Sequence, residues 1–151
     1  MSIRPFEIDD YLAVIDVYAH SKLDELSNEH SQFKLLPLDK DKKRLAELQE
    51  SDIYVFDDHG VVAYGAAYQS EVRALFVHPN SRGKGIGKIL FRFLLTALNP
   101  CPNHNVISLY VAKTNENAKA LYEQFGFKVT EEFEAEYNGV PVLANKMQKA
   151  I

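Results

Sequence analysis

Between Val77 and Leu90 the chain reads "VHPNSRGKGIGKIL", and three of its seven glycines alternate there, at Gly83, Gly85 and Gly87. Arg82 precedes them, and Lys84 and Lys88 are interleaved. Glycine weakens an ordinary helix or strand, so this alternation implies a main chain that something approaches closely. The cations make a polyanion the expected visitor. A helix starting within the stretch would offer a pyrophosphate its free N–H groups and the positive end of its dipole.

Two familiar phosphate loops do not fit. A Walker A loop places Ser or Thr after its lysine, whereas Ile89 follows Lys88 and the glycines are misplaced. A dinucleotide fingerprint requires glycine where Lys88 stands and belongs to a parallel strand–helix–strand unit. What remains is a strand, then Arg-Gly-Lys-Gly-Ile-Gly, then a helix.

A second constellation lies downstream in "NENAKALYEQFGF", beginning at Asn115. Asn115 and Tyr122 lie two helical turns apart and share a face, with Ala118 between them. An alanine there leaves a slot for a thin chain. Each residue also has a plain structural reading. Asn115 can cap its own helix, and Tyr122 can be a core aromatic with a satisfied hydroxyl.

Together the two segments resemble the GNAT acetyltransferases. Arg82 to Gly87 match the family's Arg/Gln-x-x-Gly-x-Gly/Ala pattern. Asn115, Ala118, Leu121, Tyr122, Gly126 and Phe127 match its Asn-x-x-Ala-x-x-Leu-Tyr-x-x-x-Gly-Phe segment. The resemblance runs from Ile3 to the closing hairpin and is weakest over residues 20–50. It implies one domain, residues 1–151, of the α/β (α+β) class: a mixed, mostly antiparallel seven-stranded sheet with about four helices on its faces. It further implies acetyl-CoA as acetyl donor, no metal, and acyl transfer from the thioester to a primary amine of a small molecule or protein. An acetyl-CoA-binding module without turnover is the competing reading.

The same resemblance assigns roles. Arg82, Gly83, Lys84, Gly85, Ile86, Gly87 and Lys88 would hold the pyrophosphate. The Leu75 N–H would polarise the carbonyl, Phe76 and Val77 would pair with pantetheine, and Asn115 and Ala118 would adjoin it. Tyr122 would protonate the departing thiolate, a role that suits a phenol with a reference pKa of about 10. Glu71 stands eleven residues before Arg82, the spacing of the catalytic glutamate in histone-type members. It reads equally as an ordinary strand-edge glutamate. Other members carry a carboxylate five residues before the motif asparagine, where this chain has Tyr110. The base is therefore Glu71, a histidine, or a water relay. His78 reads as a structural residue of the turn, and His20 and His30 lack a motif partner. Cys101 has no base nearby in sequence and reads as a loop thiol.

These residues need a scaffold, and the hydrophobic pattern supplies one. A first strand over "SIRPF" leads to a helix capped by Asp9 or Asp10 and running to about His20, with Leu12, Ile15 and Tyr18 along one face. A second helix, roughly Asp39 to Gln49, turns Leu45 and Leu48 inward. "DIYVFDD" and "GVVAYGAAYQ" read as strands joined at "DDHG", and "EVRALFV" as a strand that stops at His78-Pro79. The next helix reaches about Leu98, with Ile86, Ile89, Leu90, Phe93, Leu94 and Ala97 at helical spacing. "NVISLYVA" has the continuous apolar character of a strand buried on both faces. A helix from Asn115 to Phe125 ends at Gly126, and a hairpin turns at Asn138-Gly139. Glu132, Glu134 and Glu136 share its solvent face.

The 151 residues, 46% hydrophobic and 25% charged, suit one globular domain in water. A net charge of −4 argues against nucleic acid as partner, and no apolar run approaches a membrane span. "MSIRPFEIDD" lacks the apolar stretch of a signal peptide. With one cysteine there is no intrachain disulfide, and a cytoplasmic location is expected. The first 60 residues carry 7 Lys/Arg against 14 Asp/Glu, net −7, whereas the remainder is net +3. Asp24, Glu25 and Glu29 crowd the segment that walls the acceptor in the family. A positively charged amine is therefore the expected acceptor, unless those carboxylates merely solvate a helix and loop. Monomer and homodimer both fit.

Overall fold

The computed structural model describes all 151 residues. Its first elements are β1 (Ser2–Pro5), α1 (Tyr11–Ser21), α2 (Lys42–Glu50), β2 (Asp52–Asp57) and β3 (Val61–Tyr68). After these come β4 (Glu71–Val77), α3 (Ile86–Ala97), β5 (Val106–Ala112), α4 (Glu116–Gln124), β6 (Lys128–Tyr137) and β7 (Val140–Ala150). This is the order expected from the sequence. Short 3-10 turns occupy Ile8–Asp10, Lys22–Leu26, Leu38–Lys40 and Pro79–Ser81. One seven-stranded sheet runs β1-β2-β3-β4-β5-β7-β6.

Every neighbouring pair is antiparallel except β4 and β5. Those two run parallel and register only at Glu71 and Ser108. The chain therefore does contain a parallel strand–helix–strand unit, contrary to the sequence argument. The missing third glycine and the antiparallel pairing of all the other strands separate it from a dinucleotide fold. Beyond Glu71 the two strands part.

On one face α3 lays Leu90, Phe91 and Leu94 across Ala63, Val72, Leu109 and Met147, so this core spans both sides of the parting. On the other face, Val14, Val17 and Tyr18 of α1 and Leu48 of α2 cover Val55, Tyr64 and Phe76. Burying each large apolar side chain contributes about 1.5–3 kcal/mol. A Cβ on Gly65 would lie 2.5 Å from Leu94 Cδ1, so glycine at that point lets α3 sit close against β3. The β6–β7 turn has φ of 50° at Asn138 and 80° at Gly139, the left-handed pair that the Asn-Gly signal anticipates.

Four local expectations change. The buried stripe of α1 is Val14, Val17, Tyr18 and Ser21, whereas Leu12 is 78% exposed. Asp10 does not cap α1 with its side chain; its carboxylate accepts from Arg4 at 2.7 and 3.0 Å and from the Glu7 N–H at 2.9 Å. Ile89 lies on the outer edge of α3 and is exposed. Strand β5 is not buried on both faces, because Tyr110 faces the opening between the strands and is 50% exposed.

Candidate active site

The parting of β4 from β5 opens a cleft of about 740 Å³. Leu75, Phe76 and Val77 line it from β4, and Tyr110, Val111 and Ala112 line it from β5. Asn115, Ala118 and Tyr122 reach it from the start and face of α4. Arg82, Gly83, Gly85, Ile86 and Gly87 contribute from the glycine loop and the first turn of α3. Two motifs separated in sequence thus meet at one opening.

The loop is shaped by backbone sign as much as by space. Gly83 and Gly85 have φ of 79° and 76°, a region costly for any residue with a Cβ. A Cβ built on either meets nothing within 4 Å, and one on Gly87 meets only Val77 Cγ2 at 3.7 Å. The first two glycines are therefore required by conformation within the protein, a reason the sequence reading did not weigh. None of the main-chain N–H groups from Gly83 to Lys88 donates to a protein acceptor. Gly85 caps α3 with no side chain, so nothing competes for those N–H groups. They meet the positive end of the helix dipole, which fits the phosphate groups of acetyl-CoA. Lys84 and Lys88 are exposed and flank the cleft without lining it. The Arg82 guanidinium turns instead to Asp24 at 2.6 Å and to the Val77 carbonyl at 3.2 Å.

Asn115 takes its plain reading: its Oδ1 accepts from the Ala118 N–H at 3.3 Å. Tyr122 is half-buried against Phe91, ring centroids 5.0 Å apart. Burial, and then the charge of Glu25, hold its phenol well above the usual tyrosine range. The Tyr122 hydroxyl therefore stays protonated at neutral pH.

Glu71 reaches the cleft by way of an irregularity. Ala66 pairs with Ala74 and Ala67 with Val72, which leaves Arg73 as an extra residue in β4. The bulge reverses the alternation, so Val72 packs on the α3 face while Ala74 and Phe76 pack on the α1 face. Glu71 Oε1 accepts from Arg73 Nε at 3.4 Å, and Arg73 Nη1 donates to Glu50 at 2.7 Å. The carboxylate is thus tethered.

The three acidic residues expected to wall the acceptor side are all engaged. Asp24 holds Arg82, Glu25 accepts from Lys22 Nζ at 2.8 Å, and Glu29 accepts from the Thr114 hydroxyl. His78 Nδ1 accepts from the Asn80 N–H at 3.1 Å, the structural role expected of it. His20 stacks on His78, ring centroids 4.8 Å apart, and Asp16 lies 3.2 Å from His20 Nδ1. His20, His30 and Cys101 do not line the cleft. Glu132, Glu134 and Glu136 are exposed as expected, and Glu132 pairs with Lys113 at 2.8 Å.

Sequence reasoning missed Lys22, Arg44 and Tyr137, which line the acceptor side. The Lys22 ammonium lies 5.2 Å from the Tyr137 ring, and Arg44 lies 5.0 Å from the same ring. The Tyr137 hydroxyl accepts from the Leu36 N–H at 2.8 Å and donates to the Leu36 carbonyl at 3.2 Å. These partners are far apart in the chain, and no spacing signals them.

Residues 22–150 match the family profile described as an acetyltransferase (GNAT) domain. The chain belongs to the GNAT family. Among curated GNAT relatives, it is 35% identical over 89 residues to the peptidyl-lysine N-acetyltransferase YjaB of Salmonella typhimurium. That match covers 59% of this chain and 57% of YjaB, little more than half of the relative. An uncharacterized N-acetyltransferase of Archaeoglobus fulgidus is 30% identical over 127 residues, 77% of this chain and 83% of that one. Among solved GNAT structures, the ribosomal-protein-alanine N-acetyltransferase of Brucella melitensis superposes with a TM-score of 0.73 at 19% identity, over 100% of both chains. Salmonella typhimurium yncA, solved with its cofactor acetyl-CoA, gives 0.71 at 20% identity over 99% of this chain and 93% of that one. At such identities the likeness is one of fold, and the fold is the GNAT sheet expected from the sequence. GNAT enzymes take the acetyl group from acetyl-CoA and need no metal.

Proposed function

We propose that this chain is an N-acetyltransferase that moves the acetyl group of acetyl-CoA to a primary amine by direct attack. The observation that carries the reading is the run of undonated N–H groups from Gly83 to Lys88 at the start of α3, beside a cleft that also receives Tyr122. Bound acetyl-CoA supplies an activated thioester. The chain's own part is to orient it, receive the amine and manage two protons.

The loop N–H groups and Arg82 hold the phosphates, with Lys84 and Lys88 adding positive charge from outside. The β4 edge along Leu75, Phe76 and Val77 faces the cleft, and its main-chain groups steady the pantetheine arm. The Leu75 N–H is the donor for the acetyl carbonyl. Asn115 holds the start of α4 in place, and Ala118 leaves room beside it. Tyr122 gives its hydroxyl proton to the departing sulfur, which burial supports by keeping the phenol protonated. Glu71, directly or through a water relay, removes the proton from the attacking amine. Its contact with Arg73 keeps it aimed at the α1 face.

The acceptor is an amine, as it is for the relative YjaB, a peptidyl-lysine N-acetyltransferase. A cationic acceptor was expected from Asp24, Glu25 and Glu29. Their engagement by Arg82, Lys22 and Thr114 leaves that expectation with less support than the composition gave it. No helix is long and apolar enough to cross a membrane, and the lone Cys101 suits a reducing cytoplasm.

Purified protein, acetyl-CoA and a panel of amines test the reading. Amine-dependent release of free thiol above the no-amine rate is expected. Calorimetric binding of CoA with no amine-dependent release points to a binding module instead, and absence of CoA binding overturns both.

A further inference from the structure

Behind the acceptor side of the cleft lies a second cavity of about 100 Å³. It shares five lining residues with the cleft: Lys22, Arg44, Glu47, Arg73 and Phe76. Its inner wall includes Tyr18, which is 2% exposed. The Tyr18 hydroxyl is the one buried side-chain polar atom in the chain without a hydrogen-bond partner. An unpaired buried hydroxyl costs about 1–3 kcal/mol, so it marks a place where a partner belongs.

The surroundings say what kind of partner. Lys22, Arg44 and Arg73 line the chamber against one carboxylate, Glu47. Each cation is neutralised from outside, by Glu25, Asp41, and Glu50 with Glu71. Their donors are not exhausted. Lys22 carries three N–H groups and makes one hydrogen bond, to Glu25. Otherwise it faces the rings of Tyr18, Phe76 and Tyr137 at 6.0, 5.8 and 5.2 Å. These rings already hold a cation of the chain's own, which leaves little reason for a second. Donors are in surplus, and a carboxylate is the small group that accepts most hydrogen bonds for its size.

We propose that this chamber binds a carboxylate borne by the acceptor, so that the substrate is a small amino acid-like molecule presenting its amine to the cleft and its carboxylate to Lys22 and Tyr18. The inference rests on the acetyl-transfer reading above and adds the class of acceptor. Burial holds the Tyr18 phenol well above its usual range, so it remains a donor throughout neutral pH. The volume is that of about three waters, enough for a carboxylate and its neighbouring carbon, and too small for a polypeptide surface. The predicted preference therefore runs opposite to the cationic amine expected from composition.

The test measures kcat/KM at saturating acetyl-CoA for a panel of α- and ω-amino acids, each beside its primary carboxamide. The wild type is expected to prefer the best acid over its amide by about 10-fold or more, since a charge-assisted anchor is lost in the amide. Tyr18→Phe is expected to raise KM for the acids while leaving that for the amides and the affinity for CoA unchanged, and Lys22→Met is expected to remove the preference for acid over amide. Tyr18→Phe is also expected to melt no lower than wild type, because it removes an unpaired hydroxyl. CoA binding with equal rates for acids and amides, or with no amino acid acetylated, overturns the carboxylate chamber and leaves acetyl transfer standing. Failure to bind CoA in calorimetry of the same samples overturns both.

Discussion

Arg82 and Asp24, 58 positions apart, join the glycine loop to the turn after α1 through an Nη1–Oδ2 contact of 2.6 Å. Both side chains are roughly half exposed, so the pair contributes at most about 1 kcal/mol to stability. Its importance is that Arg82 divides its charge between Asp24 and the anion site. Asp24→Asn is expected to leave the melting temperature nearly unchanged and tighten CoA binding about 2- to 5-fold at low salt, with the gain fading as salt screens it. Arg82→Ala is expected to weaken binding. Calorimetry at two ionic strengths decides, and weaker binding by Asp24→Asn would contradict the shared charge.

Gly85 and Gly87 separate conformation from contact. Gly85→Ala forces a Cβ into a left-handed backbone and is expected to cost about 1–2 kcal/mol, along with CoA affinity. Gly87 is helical and has room for a methyl group, so Gly87→Ala is expected to be neutral or to stabilise by up to about 1 kcal/mol. A loss of CoA affinity by this variant at unchanged stability reports a ligand lying against the main chain. Melting curves and titrations of both proteins supply the comparison.

Tyr122 and Glu71 predict opposite pH behaviour. Because burial and Glu25 raise the Tyr122 phenol, its proton is retained below pH 10, and no alkaline fall in rate should begin there on its account. Tyr122→Phe is expected to lower kcat by about 10-fold or more with CoA affinity little changed. Glu71→Gln should lose most activity at neutral pH and recover as pH rises, when the amine deprotonates without help. Full turnover by Tyr122→Phe, or a wild-type pH profile for Glu71→Gln, would remove the assigned role.

Arg4 ties β1 to the start of α1 and to β2 through Asp10 and Asp57. Arg4 lowers the Asp10 pKa, and the Gly60 N–H followed by Arg4 lowers that of Asp57. A depressed carboxylate stabilises the fold above its unfolded pKa of about 4 and loses that contribution as pH falls. Arg4→Ala is therefore expected to lower the melting temperature at pH 7 and to approach wild type near pH 2. A constant difference across that range would show that the pairs carry no stability.

The element order was readable because each boundary has a local cause: Pro79 after β4, Gly126 after α4, Asn138-Gly139 between β6 and β7. Both motifs were readable for the same reason, since each fills one short segment. The α1 stripe was misjudged because apolar residues lie on more than one side of the helix, and packing against Val55, Tyr64 and Phe76 selects Val14, Val17 and Tyr18 over Leu12. The bulge at Arg73 and the meeting of Lys22 with Tyr137 had no local signature. Both follow from sheet register and from long-range packing, which spacing along the chain does not encode.

The single register point between β4 and β5 gives the sheet a seam. On one side of it lie β1 to β4, on the other β5 to β7; the α3 core staples the two across one face, and the segment after α1 does so across the other, where Leu26 and Leu36 meet Tyr137 and Val142. Between those staples the two strands open from Glu71 and Ser108 like the covers of a book from its spine. A donor lying in the seam would act as the missing strand, and the continuity of the sheet's main-chain pairing across its middle would then belong to its substrate.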